Sequence, residues 1–91
     1  MIKLVIKRDG SKVAFDAEKM KRAIASAALQ ANFPQDKRID LVESITIKVI
    51  ASFQGSEEVK TTDIRDAILR ELDAVAPTVA MTWRNYDANK K

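Results

Sequence analysis

The sequence predicts an α+β domain in which a small sheet of two or three strands covers a bundle of four helices. Three observations predict it. An alternating apolar segment near the start is followed by a turn signal and a second extended segment. Most of the remaining chain carries apolar residues at helical spacing. Only two Gly and two Pro interrupt the 91 residues, so long regular elements are expected in one domain over residues 1–91.

The first fifteen residues predict a β-hairpin. Apolar residues alternate over residues 2–6, and Asp9-Gly10 is a two-residue turn signal, because Gly tolerates the positive φ of a type I′ turn. Glu58–Lys60 is predicted to be a short extended segment that could add a third strand, since a hairpin alone is only marginally stable. A two-residue loop would bring apolar residues together on one face of the hairpin. The predicted facing pairs are Ile6 with Val13 and Leu4 with Phe15.

Four helices are predicted from apolar residues at helical spacing. Asp16 is a good N-cap for the first helix, and Pro34 follows its end. The second helix is predicted over residues 35–53. Propensity alone would also allow a strand over residues 46–50, but the longer periodicity favours a helix.

The last two helices have clear start signals. Thr61 or Thr62 is a candidate N-cap for the third helix, and Pro77 opens the fourth at its first turn. The aromatic pair of the fourth helix, Trp83 and Tyr86, is predicted to pack in the core or at an interface. The predicted core contains Leu4, Ile6, Phe15, Ile24, Val42, Ile45, Ile68 and Leu72, and Ile39 and Val75 are also predicted to face inward.

Two residue types are absent from the sequence, and this excludes several classes of function. Without Cys the chain has no disulfide, zinc–thiolate site or thiol chemistry. Without His it cannot assemble a Ser–His or Cys–His nucleophile from its own residues. Acidic residues such as Glu57-Glu58 are interpreted as caps and solvated charges, so no protein metal site is predicted. The chain is therefore expected not to be an enzyme.

No stretch of the sequence approaches the ~20 apolar residues that would span a bilayer. The apolar start, Met1–Val5, is too short for a signal peptide, and Lys7 and Arg8 follow it too soon. We therefore expect a soluble protein of the cytoplasm that does not associate with a membrane.

Positive charge is concentrated at the start of the chain. The net charge is +3, and residues 1–22 contain seven basic against three acidic residues. Lys7 and Arg8 lie at the predicted hairpin tip, and Lys19 lies in the first turn of the next helix, where backbone N–H groups also attract anions. This distribution favours a local anion site. Charge alone equally allows a solvated basic surface.

Three motifs resemble the ATP-cone domain, and they cover essentially the whole chain in the family's order. The first is Val5-Ile6-Lys7-Arg8-Asp9-Gly10 followed by Phe15-Asp16-x-x-Lys19-Met20. The second is Thr61-Thr62-Asp63-Ile64, before the third helix, and the third is Ala76-Pro77-x-Val79-Ala80 with Trp83 and Tyr86. A lone Lys-Arg-Asp-Gly would be a weak signal, whereas the three motifs together are fairly specific.

The resemblance implies a non-catalytic regulatory module that binds ATP or dATP between the sheet and the bundle, with Mg²⁺ arriving on the phosphates. ATP-cones are the allosteric domains of ribonucleotide reductases and the nucleotide-sensing part of the reductase-operon repressor. The implied partner is therefore a ribonucleotide reductase, another regulated protein, or a second copy of this chain. The nucleotide-binding residues that the resemblance implies are Lys7, Arg8, Phe15, Lys19, Met20, Thr61, Ile64 and Lys90.

Within that set, the resemblance gives Lys7 and Arg8 to the phosphates, Lys19 to phosphate or ribose, and Thr61 with Ile64 to the nucleoside. This chain departs from some members at Val13, where they carry a polar or acidic side chain. The departure predicts weak discrimination between the two sugars.

Two other functions remain open. The net positive charge and the basic hairpin would also suit a small nucleic-acid-binding protein, although the basic excess is local and no nucleic-acid-reading motif is present. A protein-interaction module with a decayed nucleotide site would carry the same motifs. Titration with ATP, dATP and an oligonucleotide separates the three.

Overall fold

The computed structural model describes residues 2–89, with the side chains of residues 2–86. Three strands and four helices follow one another along the chain. They are β1 (Leu4–Ile6), β2 (Lys12–Ala14), α1 (Ala17–Gln30), α2 (Gln35–Ser52), β3 (Glu58–Lys60), α3 (Thr61–Val75) and α4 (Pro77–Asn89). The predicted α+β class is confirmed, with a three-stranded sheet and four helices.

The sheet has the strand order β2-β1-β3. β1 pairs antiparallel with β2 and parallel with β3, so the carboxyl ends of β1 and β3 lie at the same edge of the sheet. The helices pack in a ring, each against the next and α4 against α1. The main contact between the sheet and the bundle is β3 with α3.

The register of the hairpin differs by one residue from the predicted register. The backbone N–H of Lys7 donates to the carbonyl of Ser11 at 2.8 Å, so the loop has three residues, and Gly10 adopts a φ of +90°. The Asp9 carboxylate accepts from the Ser11 hydroxyl at 2.7 Å and from its backbone N–H at 2.9 Å. These hydrogen bonds, chiefly that from the hydroxyl, lower the pKa of Asp9. Val5 therefore faces Val13, and the predicted pairing of Ile6 with Val13 is wrong.

A shift of one residue exchanges the two faces of a strand. Val5, Val13 and Val59 are direct register partners and share one face of the sheet. Phe15 follows on the same face by alternation and packs against the core of the bundle, so this is the face turned toward the helices.

The opposite face of the sheet has no described residue that packs on the core cluster of the bundle. It carries Leu4 and Ile6, which are half-buried, and the exposed ion pair of Lys12 with Glu58 at 2.9 Å. The prediction that Leu4 and Ile6 belong to the core is therefore wrong, and the cause is the altered register. Phe15 is half-buried and packs on the core rather than within it.

Helix starts follow the predicted residues in three of four cases, since α2 also begins at the predicted Gln35. The Asp16 carboxylate caps α1, accepting from the backbone N–H groups of Glu18 at 3.0 Å and Lys19 at 3.4 Å. Pro77 opens α4. The remaining prediction is wrong: α3 begins at Thr61 itself, because β3 runs directly into it, and its N-cap residue Lys60 makes no side-chain capping hydrogen bond.

The buried core lies between the four helices. α2 is continuous through residues 46–50, as the periodicity predicted, and its buried stripe runs through Leu41, Ile45 and Val49. Ile39 lies off that stripe and is 74% exposed, and Val75, the last residue of α3, is 51% exposed. Both were wrongly predicted to face inward. Five predicted core residues are buried: Ile24, Val42, Ile45, Ile68 and Leu72.

An ion pair fastens α4 to α3 at the surface. The guanidinium of Arg84 donates to both carboxylate oxygens of Asp73, at 2.8 and 2.7 Å. This two-pronged geometry is the strongest form of such a pair. The hydrogen bonds from Arg84 lower the pKa of Asp73, so the pair persists at pH values above that lowered pKa.

Among the described residues, the Thr46 hydroxyl is the buried side-chain polar group that lacks a hydrogen-bond partner. Thr46 is 3% exposed, and its Oγ1 has no hydrogen-bond partner among the described residues. An unpaired buried hydroxyl destabilises a fold by about 1–3 kcal/mol. Valine keeps the shape of the side chain and differs little from threonine in helix propensity.

We therefore expect Thr46→Val to stabilise the protein by about 1 kcal/mol in chemical denaturation. Thr82→Val is the matched control, because the Thr82 hydroxyl donates to the Thr78 carbonyl at 3.0 Å and is not buried. A destabilised Thr46→Val protein would show that the hydroxyl does have a partner, such as an ordered water.

Candidate functional site

Apolar side chains remain partly exposed between the sheet and the bundle. Val59 on β3 is covered, at 5% exposed, whereas Val13 on the same face is 39% exposed. Phe15, which follows β2, and Ile64 on α3 are half-buried and pack on the core of the bundle. We call the partly exposed surface of Val13, Phe15 and Ile64 the apolar cleft.

Basic residues surround a cavity at the hairpin tip, at the end of the sheet where β1 and β3 both stop. Lys7 and Arg8 line it from the hairpin, and Lys60 lines it from the end of β3. The cavity has a volume of about 290 Å³. Its remaining lining residues are Ile6, Gly10 and Thr62. The two parallel strands bring these groups together, because both end at this edge of the sheet.

The cations of this region are unpaired, unlike most others. Within residues 2–86, no carboxylate lies within 4.0 Å of the charged groups of Lys7, Arg8, Lys19 or Lys60. The basic residues that do pair lie elsewhere on the surface: Lys3 with Glu57, Lys12 with Glu58, Lys21 with Glu43, Lys48 with Glu71, Arg65 with Asp66 and Arg84 with Asp73. The hairpin tip therefore carries cations without an ion-pair partner in the described part of the chain, although the Lys7 charge, after the hydrogen bonds from Ser11, contributes to the lowered pKa of Asp9 beside it.

The two helix starts near the cleft differ in their capacity for anions. At α1, Asp16 already occupies the N–H groups of Glu18 and Lys19, so this start offers the Lys19 side chain but fewer free backbone donors. At α3 no side chain caps the first turn. Uncapped N–H groups at a helix start attract phosphates, and this start lies at the cavity, where Thr62 is a lining residue.

The remaining predicted residues are distributed around the cleft. Thr61 is the first residue of α3 and is half-buried, and Ile64 lies one turn further on. Lys19 is exposed on α1 and does not line the hairpin cavity. Met20 is 7% exposed and belongs to the hydrophobic core, so its side chain is not available on the surface. Lys90 lies outside the described residues.

Sequence reasoning did not identify Lys60 and Thr62, which line the cavity with Lys7 and Arg8. A single lysine is not informative in a chain with sixteen basic residues, and a threonine at the start of a helix is usually interpreted as a cap. The signal that could have found them is the parallel pairing of β3 with β1, which sets Lys60 opposite Ile6.

Comparison with protein families finds a match over almost the whole chain. The sequence model of the ATP cone domain matches residues 3–91. The chain belongs to the ATP cone family. It is thus a nucleotide-binding regulatory domain of a non-catalytic family. Comparison with curated proteins finds no match.

The ATP cone has a second cavity, between α1 and α4, of about 420 Å³. Trp83 forms one wall and packs on the core, whereas Tyr86 is 57% exposed. The α1 wall contains small residues, Ala23 and Ala27, which allow close approach. The other lining residues are Ser26, Gln30 and Thr82, and none of the lining residues among 2–86 is charged. The prediction that Trp83 packs on the core is confirmed.

Residues 2–89 show neither a cluster of metal-ligating side chains nor a membrane-spanning helix. Residues 2–89 of the ATP cone contain no group of three or more Asp or Glu residues that could hold a metal ion. No helix in that range is long and apolar enough to cross a membrane.

Proposed function

We propose that this ATP cone binds ATP or dATP, with the phosphates at the hairpin tip and the nucleoside in the cleft, and that the bound nucleotide regulates association. The observation that carries the proposal is the group of unpaired cations at the tip of a hairpin that also carries partly exposed apolar residues, in a chain of this family. An apolar slot next to positive charge matches the two halves of a nucleotide.

Lys7 and Arg8 are the principal phosphate ligands. Both line the cavity at the hairpin tip and neither has a carboxylate partner among the described residues. Lys19, on the first turn of α1, supplies a third charge from the bundle side to phosphate or ribose. The family resemblance adds Lys90 to this set. Contacts of this kind are charge-assisted and therefore among the stronger hydrogen bonds.

The nucleoside occupies the cleft between Val13 on the sheet and the bundle. Phe15 and Ile64 provide the apolar surface, and Thr61 provides polar groups at the start of α3. Met20 acts from the core by packing beneath these residues. Val13 has no polar atom in its side chain with which to distinguish a ribose from a deoxyribose, so both ATP and dATP are ligands.

Mg²⁺ enters this site with the nucleotide. The chemistry of the site fits an anion, since the groups that line the hairpin cavity are basic, neutral polar or apolar. A divalent ion is therefore held chiefly by the phosphates, as is usual for Mg²⁺. Its contribution is charge neutralisation of the triphosphate.

A domain that binds a nucleotide without chemistry acts by binding two states of the protein differently. We assign the two states to different degrees of association, with a second copy or with a regulated protein such as a ribonucleotide reductase in the cytoplasm. The surface for association is the uncharged groove of α1 and α4, where Tyr86 is exposed beside Trp83. Aromatic residues are enriched at such interfaces.

Two measurements, each made with and without saturating ATP or dATP, test this assignment. One is light scattering of the purified chain, and the other is capture of a partner from its source lysate. We expect nucleotide to change the mass of the particle or the amount of partner retained, and Tyr86→Ser to reduce the change. Val75→Ser is the matched control, because Val75 is similarly exposed but lies outside the groove. If nucleotide changes neither the particle mass nor the amount of partner captured, regulation by association is contradicted.

A further inference from the structure

We propose that Lys60 is a further phosphate-binding residue of this domain, which ties the terminal phosphates of the nucleotide to the start of α3. Neither the sequence pattern nor the family resemblance implies this role for Lys60. The assignment rests on the proposed function and specifies which part of the ligand the hairpin cavity holds.

The position of Lys60 follows from the register of the sheet. Lys60 is the last residue of β3 and lies opposite Ile6, the last residue of β1. The chain continues from Ile6 into Lys7 and Arg8, and from Lys60 into α3. Two parallel strands that end together therefore deliver three cations to one cavity.

Lys60 is free to bind an anion. By alternation it lies on the same face of β3 as Glu58, the nearest carboxylate on that strand. Glu58 is engaged by Lys12 at 2.9 Å from the other side of β1. No carboxylate within residues 2–86 lies within 4.0 Å of the Lys60 ammonium group. The Lys60 ammonium group therefore remains available to an anion in the cavity.

The charge of the cavity favours phosphate groups. Three of its six lining residues are cations, and its volume of about 290 Å³ is open to solvent at the hairpin tip. The cavity therefore suits the polyphosphate end of the nucleotide, and the nucleoside requires the apolar cleft. The hydroxyl of Thr62 and the uncapped first turn of α3 add neutral donors on the same side as Lys60.

This geometry has a mechanistic consequence. Lys7 and Arg8 belong to the hairpin, whereas Lys60 belongs to the junction with α3, the helix on which the sheet rests. A phosphate chain that contacts both groups joins the hairpin tip to the bundle. Such a joint depends on the number of phosphates, so Lys60 must distinguish ATP from AMP.

Calorimetric titration of the full chain with ATP, ADP and AMP tests the role of Lys60. For Lys60→Gln we expect ATP affinity to fall about tenfold, the loss of one charge-assisted contact, and AMP affinity to change less than about twofold. Lys3→Gln is the matched control: it removes one positive charge from the same sheet, at the opposite end of β1, and should leave all three affinities unchanged. Lys60→Arg, which keeps the charge, should restore ATP binding.

Three outcomes would overturn the assignment. An unchanged ATP affinity in Lys60→Gln, or equal losses for ATP and AMP, would remove Lys60 from the phosphate site and leave the proposed function intact. A wild-type chain that binds none of the three nucleotides would overturn the proposed function and this assignment together. Thermal unfolding of each variant shows that a lost affinity is not lost structure.

Discussion

Alanine at both Lys7 and Lys19 is expected to weaken ATP binding by about a hundredfold or more. A hydrogen bond to a charged group contributes about 1.5–3 kcal/mol, so each lysine supplies about tenfold in affinity. The two residues approach the ligand from different elements, the hairpin and α1, and neither has an ion-pair partner among the described residues. Their losses should therefore approach additivity.

The stability of this double variant should remain close to that of the wild type, because both side chains are exposed. The matched control is the double variant Lys3→Ala and Lys48→Ala, which removes the same charge from two surface ion pairs distant from the cavity. An ATP affinity unchanged in the first pair, or reduced equally in the second, would show that the phosphates bind elsewhere or that only net charge matters.

Leu72→Ala is expected to have the largest effect on the fold, a destabilisation of about 3–5 kcal/mol in urea. Leu72 lies on α3 with no exposed surface, and it is one of the largest fully buried side chains. Its truncation removes apolar contacts and leaves a cavity among the helices that carry the floor of the cleft. Small domains have total stabilities of about 5–15 kcal/mol, so the variant should also lose nucleotide affinity through partial unfolding.

Val75→Ala serves as the comparison on the same helix. Val75 is half-exposed at the last position of α3, so its truncation should change stability by less than about 0.5 kcal/mol. Similar small effects at both positions would contradict the placement of the core on the face of α3 that contains Leu72.

The helices could be predicted from the sequence because one signal dominates each of them. Apolar residues recur at helical spacing in all four, and Asp16 and Pro77 mark two of the starts. The periodicity of α2 correctly outweighed the β-propensity of residues 46–50. The same signal failed at helix ends, where Ile39 and Val75 keep the spacing without a neighbouring element to cover them.

The hairpin register could not be predicted, because Asp-Gly is compatible with loops of two and of three residues. The choice depends on the hydrogen bonds from Ser11 to Asp9, whose strength no pattern of apolar residues reveals. This single residue of register decides which side chains of the hairpin share a face with Val59 and Phe15. It turns Val5 and Val13 toward the bundle, and with them the apolar side of the cleft.

The motifs predicted most residues of the candidate site, and the remaining ones became evident only from the pairing of the strands. The family motifs named Lys7 and Arg8, which the structure brings into one cavity. Lys60 and Thr62 join them only because β3 runs parallel to β1, and a parallel pairing between residues so far apart in the chain leaves no local trace in the sequence.

The most direct test of the central claim, that this domain binds adenine nucleotides, is a calorimetric titration of the full chain with ATP, dATP and a short single-stranded oligonucleotide at two salt concentrations. We predict saturable binding of both nucleotides with similar affinities, and no comparable binding of the oligonucleotide. Oligonucleotide binding that falls steeply with salt, in the absence of nucleotide binding, would instead identify a basic nucleic-acid-binding protein. Binding of none of the three would contradict the account and leave an interaction module without a working nucleotide site.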